Sequence, residues 1–189
     1  NNTIKRLSTH RDLDFGKNEI QLTSLTDLKT HFGISYQAPV DGSKTPFGSE
    51  SFDFISSTNT LEHVPTEVLP GIFSECFRVL KKGGVFTCRI DYCDHYAYFD
   101  PNISVYNFLQ FTENEWRRYN HKIQFQNRLR HPDYLEIIKK TGFEVATIKA
   151  YEPTTEDVRL VESLASEQLP LQHSATESAI RWAYITLRK

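Results

Sequence analysis

A strand, a helix and a second strand follow one another between residues 52 and 90, and this unit limits the folds open to the chain. The segment Phe52–Ile55 is mostly apolar, and residues 85–90 form a second strand-like segment. Between them, apolar residues recur at the spacing of one helix face: Leu69, Ile72, Phe73, Cys76, Phe77 and Leu80. Two strands joined by a helix run parallel, so the pattern predicts a parallel sheet covered by helices.

The same reading extends along the chain. It predicts strands over Ile34–Val40, Asp53–Ser57, Val85–Ile90, Phe143–Ala150 and Ile180–Leu187. It predicts helices over 69–80 with a stop at Gly83–Gly84, from Pro132 to a stop at Gly142, over 154–169 with Thr154 or Thr155 as the cap, and around 112–119. We therefore expect an α/β fold with a doubly wound, mostly parallel sheet.

Length and composition bound the function. The chain has 189 residues, which favours one domain over 1–189, and its net charge of -2 argues against extended nucleic acid as a partner. No apolar run reaches the length of a bilayer span. The three cysteines have no scaffold spacing, which favours a reducing, cytoplasmic setting.

Polar residues follow three of the predicted strands. Asp41–Gly42 comes after the first, residues 57–65 after the second, and residues 91–95 after the third. Ligands of doubly wound sheets bind at the carboxyl ends of the strands. The sequence therefore predicts one binding crevice formed by these three segments.

Two stretches carry a family resemblance: PVDGSKTPFGSESFDFISSTNTLEHV and, after it, ECFRVLKKGGVFTCRI. In this order and spacing they resemble a class I S-adenosylmethionine-dependent methyltransferase of the type-11-like group, from Ile34 to the C-terminus. The resemblance implies a Rossmann-like fold, S-adenosylmethionine as the cofactor and transfer of its methyl group.

The resemblance also implies roles for single residues. Asp41 matches the acid that accepts a hydrogen bond from the adenine amino group, and Gly42 matches its neighbour beneath the adenine. The segment that passes the methionine part of the cofactor corresponds to Ser57, Thr58 and Asn59. The pair Glu62–His63 matches the start of the helical segment that closes this side of the pocket. Equally, the pair is interpreted as the polar start of a helical segment without a role in binding.

The glycine-rich loop of this family has no counterpart, because none of the eight glycines forms a G-x-G pattern. Residues 1–13 match the helix after the family's second strand, and the chain contains no methionine. We therefore expect an N-terminally truncated fold, in which the strand at Ile34–Val40 is separated from Asp53–Ser57 or poorly placed.

Residues 92–130 form a polar and aromatic insertion after the family's fifth strand. We predict that it is a lid over the substrate, with half or more of its rings packed as a separate hydrophobic cluster. The residues predicted to contact substrate are Tyr92, Tyr96, Arg128 and Arg130.

His95 and Asp91 are the predicted catalytic residues, since a hydroxyl acceptor needs a base to take its proton. A surface histidine in a polar turn is the other interpretation of His95. Cys88, Cys93 and His95 have no regular zinc spacing, so no metal is predicted.

The sequence thus predicts methyl transfer to a hydroxyl or amine of a small molecule or glycan precursor. The alternative is a non-catalytic binding or scaffold domain that kept the fold and lost the cofactor loop.

Overall fold

The structure of the protein, a computed structural model, describes residues 24–165 and 169–189. The chain divides into two compact units, residues 1–40 and 41–189. The family match predicted for residues 1–13 lies outside the described residues.

In the first unit, helix α1 spans Leu25–Phe32. Its cap is Ser24, whose hydroxyl accepts from the backbone N–H of Asp27, and it ends at Gly33, where φ is 66°. The strand predicted over Ile34–Val40 is wrong, because this segment has no strand pairing and its apolar side chains are exposed. The hydrophobic alternation was present, but a strand also needs a neighbour that supplies hydrogen bonds.

The second unit contains a four-stranded sheet in the order β1-β2-β4-β3. The strands are β1 (Phe52–Thr58), β2 (Leu80–Asp91), β3 (Glu144–Ala150) and β4 (Trp182–Arg188). β1 and β2 pair in parallel, whereas β4 is antiparallel to both β2 and β3. Three strands therefore share one direction, as predicted, while the reversed final strand was not foreseen.

Five helices lie among the described residues of this unit: α2 (Leu69–Val79), α3 (Glu113–Trp116), α4 (His131–Lys139), α5 (Thr155–Leu164) and α6 (Ala175–Ser178). Short 3-10 turns span Leu61–His63, His95–Tyr98, Asn107–Gln110 and Lys122–Gln124. In residues 24–165 and 169–189, no helix combines the length and apolar character that crossing a membrane requires.

Local sequence explains where these helices begin. Pro132 occupies the first turn of α4, as predicted, where a missing N–H costs nothing. Thr154 caps α5 in a reciprocal arrangement, since its hydroxyl accepts from the N–H of Asp157 and the Asp157 carboxylate accepts from the N–H of Thr154.

Gly83 and Gly84 do not end α2, which corrects the prediction. The helix ends at Val79 and the chain enters β2 directly. The glycines lie within β2, where Gly83 has a φ of 76° and a Cβ on Gly84 would lie 2.8 Å from the carbonyl oxygen of Lys81. They allow an irregularity in the strand pairing near its start.

The main core lies between the sheet and helices α2 and α4. It includes the fully buried side chains of Leu69, Phe73, Leu80, Phe86, Ile90, Tyr134, Ile138, Ile185 and Leu187. A smaller cluster joins Tyr106, Val161 and Ala179. The core holds β1 and β2 rigidly, and their carboxyl ends form one edge of the sheet.

Glu75 on α2 fixes the turn that leads into β1. Its carboxylate accepts from the backbone N–H and hydroxyl of Thr45 and from the guanidinium of Arg78. Arg78 also donates to the carbonyl oxygen of Phe47. These bonds, first those from Arg78 and then those from Thr45, lower the pKa of buried Glu75 to about 2.

We predict that Glu75→Gln lowers the free energy of unfolding by about 1–3 kcal/mol at pH 7, because charge-assisted hydrogen bonds are lost. A carboxyl with a depressed pKa stabilises the fold above its ordinary pKa of 4.5 and loses that contribution as the pH falls towards 2. Urea unfolding at several pH values should therefore show the difference shrinking below about pH 4.5.

Glu136→Gln is the matched control, because Glu136 is exposed on α4. It should change the free energy of unfolding by less than about 0.5 kcal/mol. A Glu75→Gln effect that stays constant from pH 7 to pH 3 would contradict the assigned role of its charge.

Candidate active site

The carboxyl ends of β1 and β2 lie side by side. Thr58 pairs with Arg89, and the N–H of Asn59 donates to the carbonyl oxygen of Arg89. Asn59 has a φ of 49°, a left-handed conformation that asparagine tolerates well. Its side-chain oxygen accepts from the Arg89 guanidinium. The chain therefore leaves β1 sharply and brings residues 61–63 to the edge of the sheet where β2 ends.

Glu62 is a buried acid with no hydrogen-bond partner. It is 1% exposed, and neither of its carboxylate oxygens has a partner among the described residues. Burial, the largest influence, raises its pKa to about 7, although the neighbouring His63 counteracts the shift. A buried polar group left unpaired is costly, so this position is built for something other than stability.

His63 is held by the segment that follows α3. Its Nδ1 lies 2.7 Å from the carbonyl oxygen of Phe125. A carbonyl oxygen only accepts, so Nδ1 carries a proton, and in the neutral ring the lone pair is on Nε2. The ring lies edge-on to that of His95, with 4.9 Å between centroids.

At the end of β2, Asp91 and His95 lie together. One carboxylate oxygen of Asp91 accepts from the N–H of Cys93, and the other accepts from the hydroxyl of Tyr98 at 2.6 Å. The Nε2 atom of His95 lies 3.8 Å from the second oxygen and has no hydrogen-bond partner in the described part of the chain. Burial lowers the pKa of His95, although Asp91 opposes the shift.

Two adjacent amide side chains tie these segments together. The side-chain NH2 of Asn127 lies within 3.0 Å of the carbonyl oxygens of Leu61 and Val64. Gln126 donates to the carbonyl oxygen of Cys93 and accepts from the N–H of His95. Residues 126–127 therefore bridge the turn after β1 and the turn after β2.

The residues predicted to face the cofactor lie on two separate segments. Asp41 is exposed, and its Oδ1 accepts from the N–H and hydroxyl of Ser43; these bonds lower its pKa. A Cβ built on Gly42 would lie 3.8 Å from Ile72, so this turn packs against the start of α2. Ser57 and Thr58 end β1. That the two segments share one crevice stays a prediction.

The four residues predicted to contact substrate have different surroundings. Tyr92 is buried in the core with its hydroxyl 3.0 Å from Nδ1 of His131. Arg130 is also buried and donates to the carbonyl oxygens of Tyr92, Ser178 and Ile180. This geometry favours a structural role for both, because neither presents a free polar group to solvent.

The other two are more accessible. Tyr96 is half exposed, and its hydroxyl donates to the carbonyl oxygen of Tyr119. Arg128 donates to the carbonyl oxygens of Phe108 and Phe111 and forms an ion pair with Glu113 at 2.8 Å. Contact with substrate stays a prediction for both.

Arg128 lines a cavity of about 570 Å³ beside the bridging segment. Its wall is mixed in polarity and includes Pro65, Phe111, Trp116, Asn127, Arg128 and His173. The aromatic insertion contributes part of this wall and buries several rings, Tyr106, Phe108 and Trp116 among them, while Tyr98 and Phe99 are exposed. Its role as a lid stays a prediction.

Residues 8–88 match a protein-family model described as a methyltransferase domain. In the described structure this match spans α1, β1, α2 and most of β2, and the site lies at the ends of β1 and β2. The match covers 81 of the 189 residues, and over this region the chain is similar to a methyltransferase domain. No curated protein matches the sequence.

A solved methyltransferase structure shares the fold of this chain. An S-adenosylmethionine dependent methyltransferase from Mesorhizobium loti is 18% identical, with a TM-score of 0.51 over 83% of this chain and 70% of that chain.

Two further solved structures are similar to this chain, which covers half or less of the length of each. Phosphoethanolamine N-methyltransferase 2 from Haemonchus contortus is 17% identical, with a TM-score of 0.44 over 79% of this chain and 36% of that one. Geranyl diphosphate C-methyltransferase from Streptomyces coelicolor is 18% identical, with a TM-score of 0.45 over 78% of this chain and 50% of that one.

Sequence reasoning missed the bridging amides Gln126 and Asn127 and the burial of Glu62. The only local signal for Glu62 was its position between apolar residues in the segment 61–64. Nothing local marks Asn127, because its carbonyl partners lie more than sixty residues away along the chain.

We predict that Asn127→Ala lowers the free energy of unfolding by about 2–4 kcal/mol, because two buried carbonyl groups lose their donor. Urea unfolding monitored by circular dichroism measures the loss. Asn102→Ala is the matched control, since Asn102 is exposed and its side chain bonds to Asp100. Equal stabilities for the two variants would show that the amide bridge is dispensable.

Proposed function

We propose that this chain is part of an S-adenosylmethionine-dependent methyltransferase whose acceptor is a hydroxyl or amine of a small molecule or glycan precursor. The match of residues 8–88 to a methyltransferase domain supports the reaction class. The observation that carries the proposal is the unpartnered Nε2 of His95, buried next to Asp91 at the end of β2. A nitrogen lone pair in this position can accept a proton from an acceptor group.

Asp41 fits the cofactor's adenine. Its Oδ1 is taken up by Ser43, whereas its Oδ2 has no hydrogen bond to the described residues and the side chain is exposed. An adenine amino group can donate to this free oxygen. Gly42 leaves room beside it, and Ser57, Thr58, Asn59 and His63 are proposed to follow the rest of the cofactor.

When bound, S-adenosylmethionine supplies a methyl group on a positively charged sulfur. The chain's own residues prepare the acceptor. His95 takes the acceptor proton on Nε2, Asp91 stabilises the positive charge that then develops on the ring, and the hydroxyl of Tyr98 holds the Asp91 carboxylate in place. Gln126 fixes the backbone of His95, which orients the imidazole.

We predict that Asp41→Ala in the full-length protein weakens S-adenosylmethionine binding about tenfold or more, because the adenine loses an acceptor. Isothermal titration calorimetry measures the affinity. Asp53→Ala is the matched control, since Asp53 is an exposed acid that pairs with Lys81 on the sheet edge. Unchanged affinity for Asp41→Ala would remove Asp41 from the cofactor site.

We predict that His95→Ala lowers turnover about a hundredfold or more and leaves cofactor affinity nearly unchanged, as expected for the loss of a base. A methyl-transfer assay over a panel of hydroxyl and amine acceptors, run beside a cofactor titration, separates the two effects. His121→Ala is the control, because His121 is exposed.

Two outcomes would contradict the role of His95. A small loss of turnover with a large loss of cofactor affinity would place it on the cofactor side. Full turnover would mean that the acceptor needs no base.

A full-length protein that binds S-adenosylmethionine but methylates no acceptor would favour the scaffold function instead.

A further inference from the structure

Three ligand-type side chains meet where the turn after β1 faces the turn after β2. Glu62, His63 and His95 each offer one ligand atom, and these atoms all lie within 4.8 Å of one another. Glu62 is buried and both histidines are half-buried. We propose that these three residues bind a divalent transition-metal ion, with Zn²⁺ as the best-matched ion.

Two of the three side chains have buried lone pairs that no hydrogen bond to the described residues uses. Both oxygens of Glu62 and the Nε2 of His95 are buried without a partner among the described residues. Leaving such atoms unpaired costs about 1–3 kcal/mol each. A bound cation offsets this cost for all of them together, which accounts for a cluster that the hydrogen bonds of the fold leave unsatisfied.

The hydrogen bond of His63 leaves Nε2 as the nitrogen that can bind a metal. Its Nδ1 donates to the carbonyl oxygen of Phe125, so the lone pair is on Nε2. Histidine ligands of metals commonly donate their other nitrogen to a carbonyl or carboxylate in this way, which fixes the direction of the ring. The position of Phe125 depends in turn on residues 126–127, which bridge the two strand ends.

The chemistry of the three side chains selects the class of ion. Two imidazoles and one carboxylate suit zinc and its neighbours in the first transition series, whereas calcium and magnesium prefer oxygen ligands alone. Ligand atoms at about 2.1 Å from zinc lie roughly 3.4 Å apart in a tetrahedron, so shifts of about 1.5 Å or less complete the site. Three protein ligands leave a fourth position open.

The proposed ligands differ from the set of two cysteines and one histidine that the sequence analysis considered for zinc. Cys93 directs its thiol to the carbonyl oxygen of Arg181, 3.6 Å away. The prediction of no metal rested on the irregular order of Cys88, Cys93 and His95. Glu62 and His63 join His95 only in space, across the pairing of β1 with β2.

Metal binding at this site does not depend on the proposed methyl transfer, and binding alone tests it. One consequence does rest on the proposed function. Since an ion and a proton compete for the Nε2 of His95, we expect zinc to lower turnover and a chelator to restore it.

The test is a titration of chelator-treated protein with Zn²⁺ by isothermal titration calorimetry, and with Co²⁺ by visible absorption. We expect one equivalent to bind with micromolar affinity or better. Glu62→Gln, His63→Asn and His95→Asn should each weaken binding at least tenfold, because the loss of even an indirect supporting group costs 10–100-fold. His121→Asn, a change at an exposed histidine, should bind as the unaltered protein does.

Circular dichroism of each variant shows whether it is folded. X-ray absorption of the zinc-loaded, unaltered protein does not depend on any variant and should show two imidazole ligands. Absence of binding at about 1 mM Zn²⁺ would overturn the proposal. So would folded variants that keep the affinity of the unaltered protein, or an absorption spectrum without imidazole.

Discussion

The amide bridge formed by Gln126 and Asn127 decides the geometry of the candidate site. Asn127 bonds to main-chain carbonyls of the turn after β1, and Gln126 bonds to the main chain of the turn after β2. Both side chains are buried, so each hydrogen bond is made in a medium where an unpaired partner is costly. The bridge therefore fixes the distance between two turns that are not adjacent in the sequence.

The amide bridge is satisfied, whereas the cluster it positions is not. Within the described part of the chain, Glu62 and His95 hold buried atoms without partners, although the amides of Gln126 and Asn127 bond to the same two turns. A fold that satisfies one polar network and leaves its neighbour open has not been optimised for stability at that point. These residues lie at the ends of strands, where doubly wound sheets bind their ligands, in agreement with the function proposed above.

The strands and helices that local pattern defines were predictable. β1, α2 and β2 follow from apolar periodicity, and the starts of α4 and α5 follow from Pro132 and Thr154. The segment Ile34–Val40 has the same alternation and forms no strand, because pattern does not supply a pairing partner. The direction of β4 could not be predicted either, since the sequence of a single strand does not distinguish a parallel from an antiparallel neighbour.

The sequence by itself determined the order of the elements, their caps and the polar character of the strand ends, because all of these depend on neighbours within a few residues. Only the tertiary structure decided which polar groups meet. It buried Arg130 and Tyr92, and it brought Glu62 to His95 through the bridge formed by Gln126 and Asn127. Burial and long-range hydrogen bonds join residues far apart in the chain, and no local pattern records them.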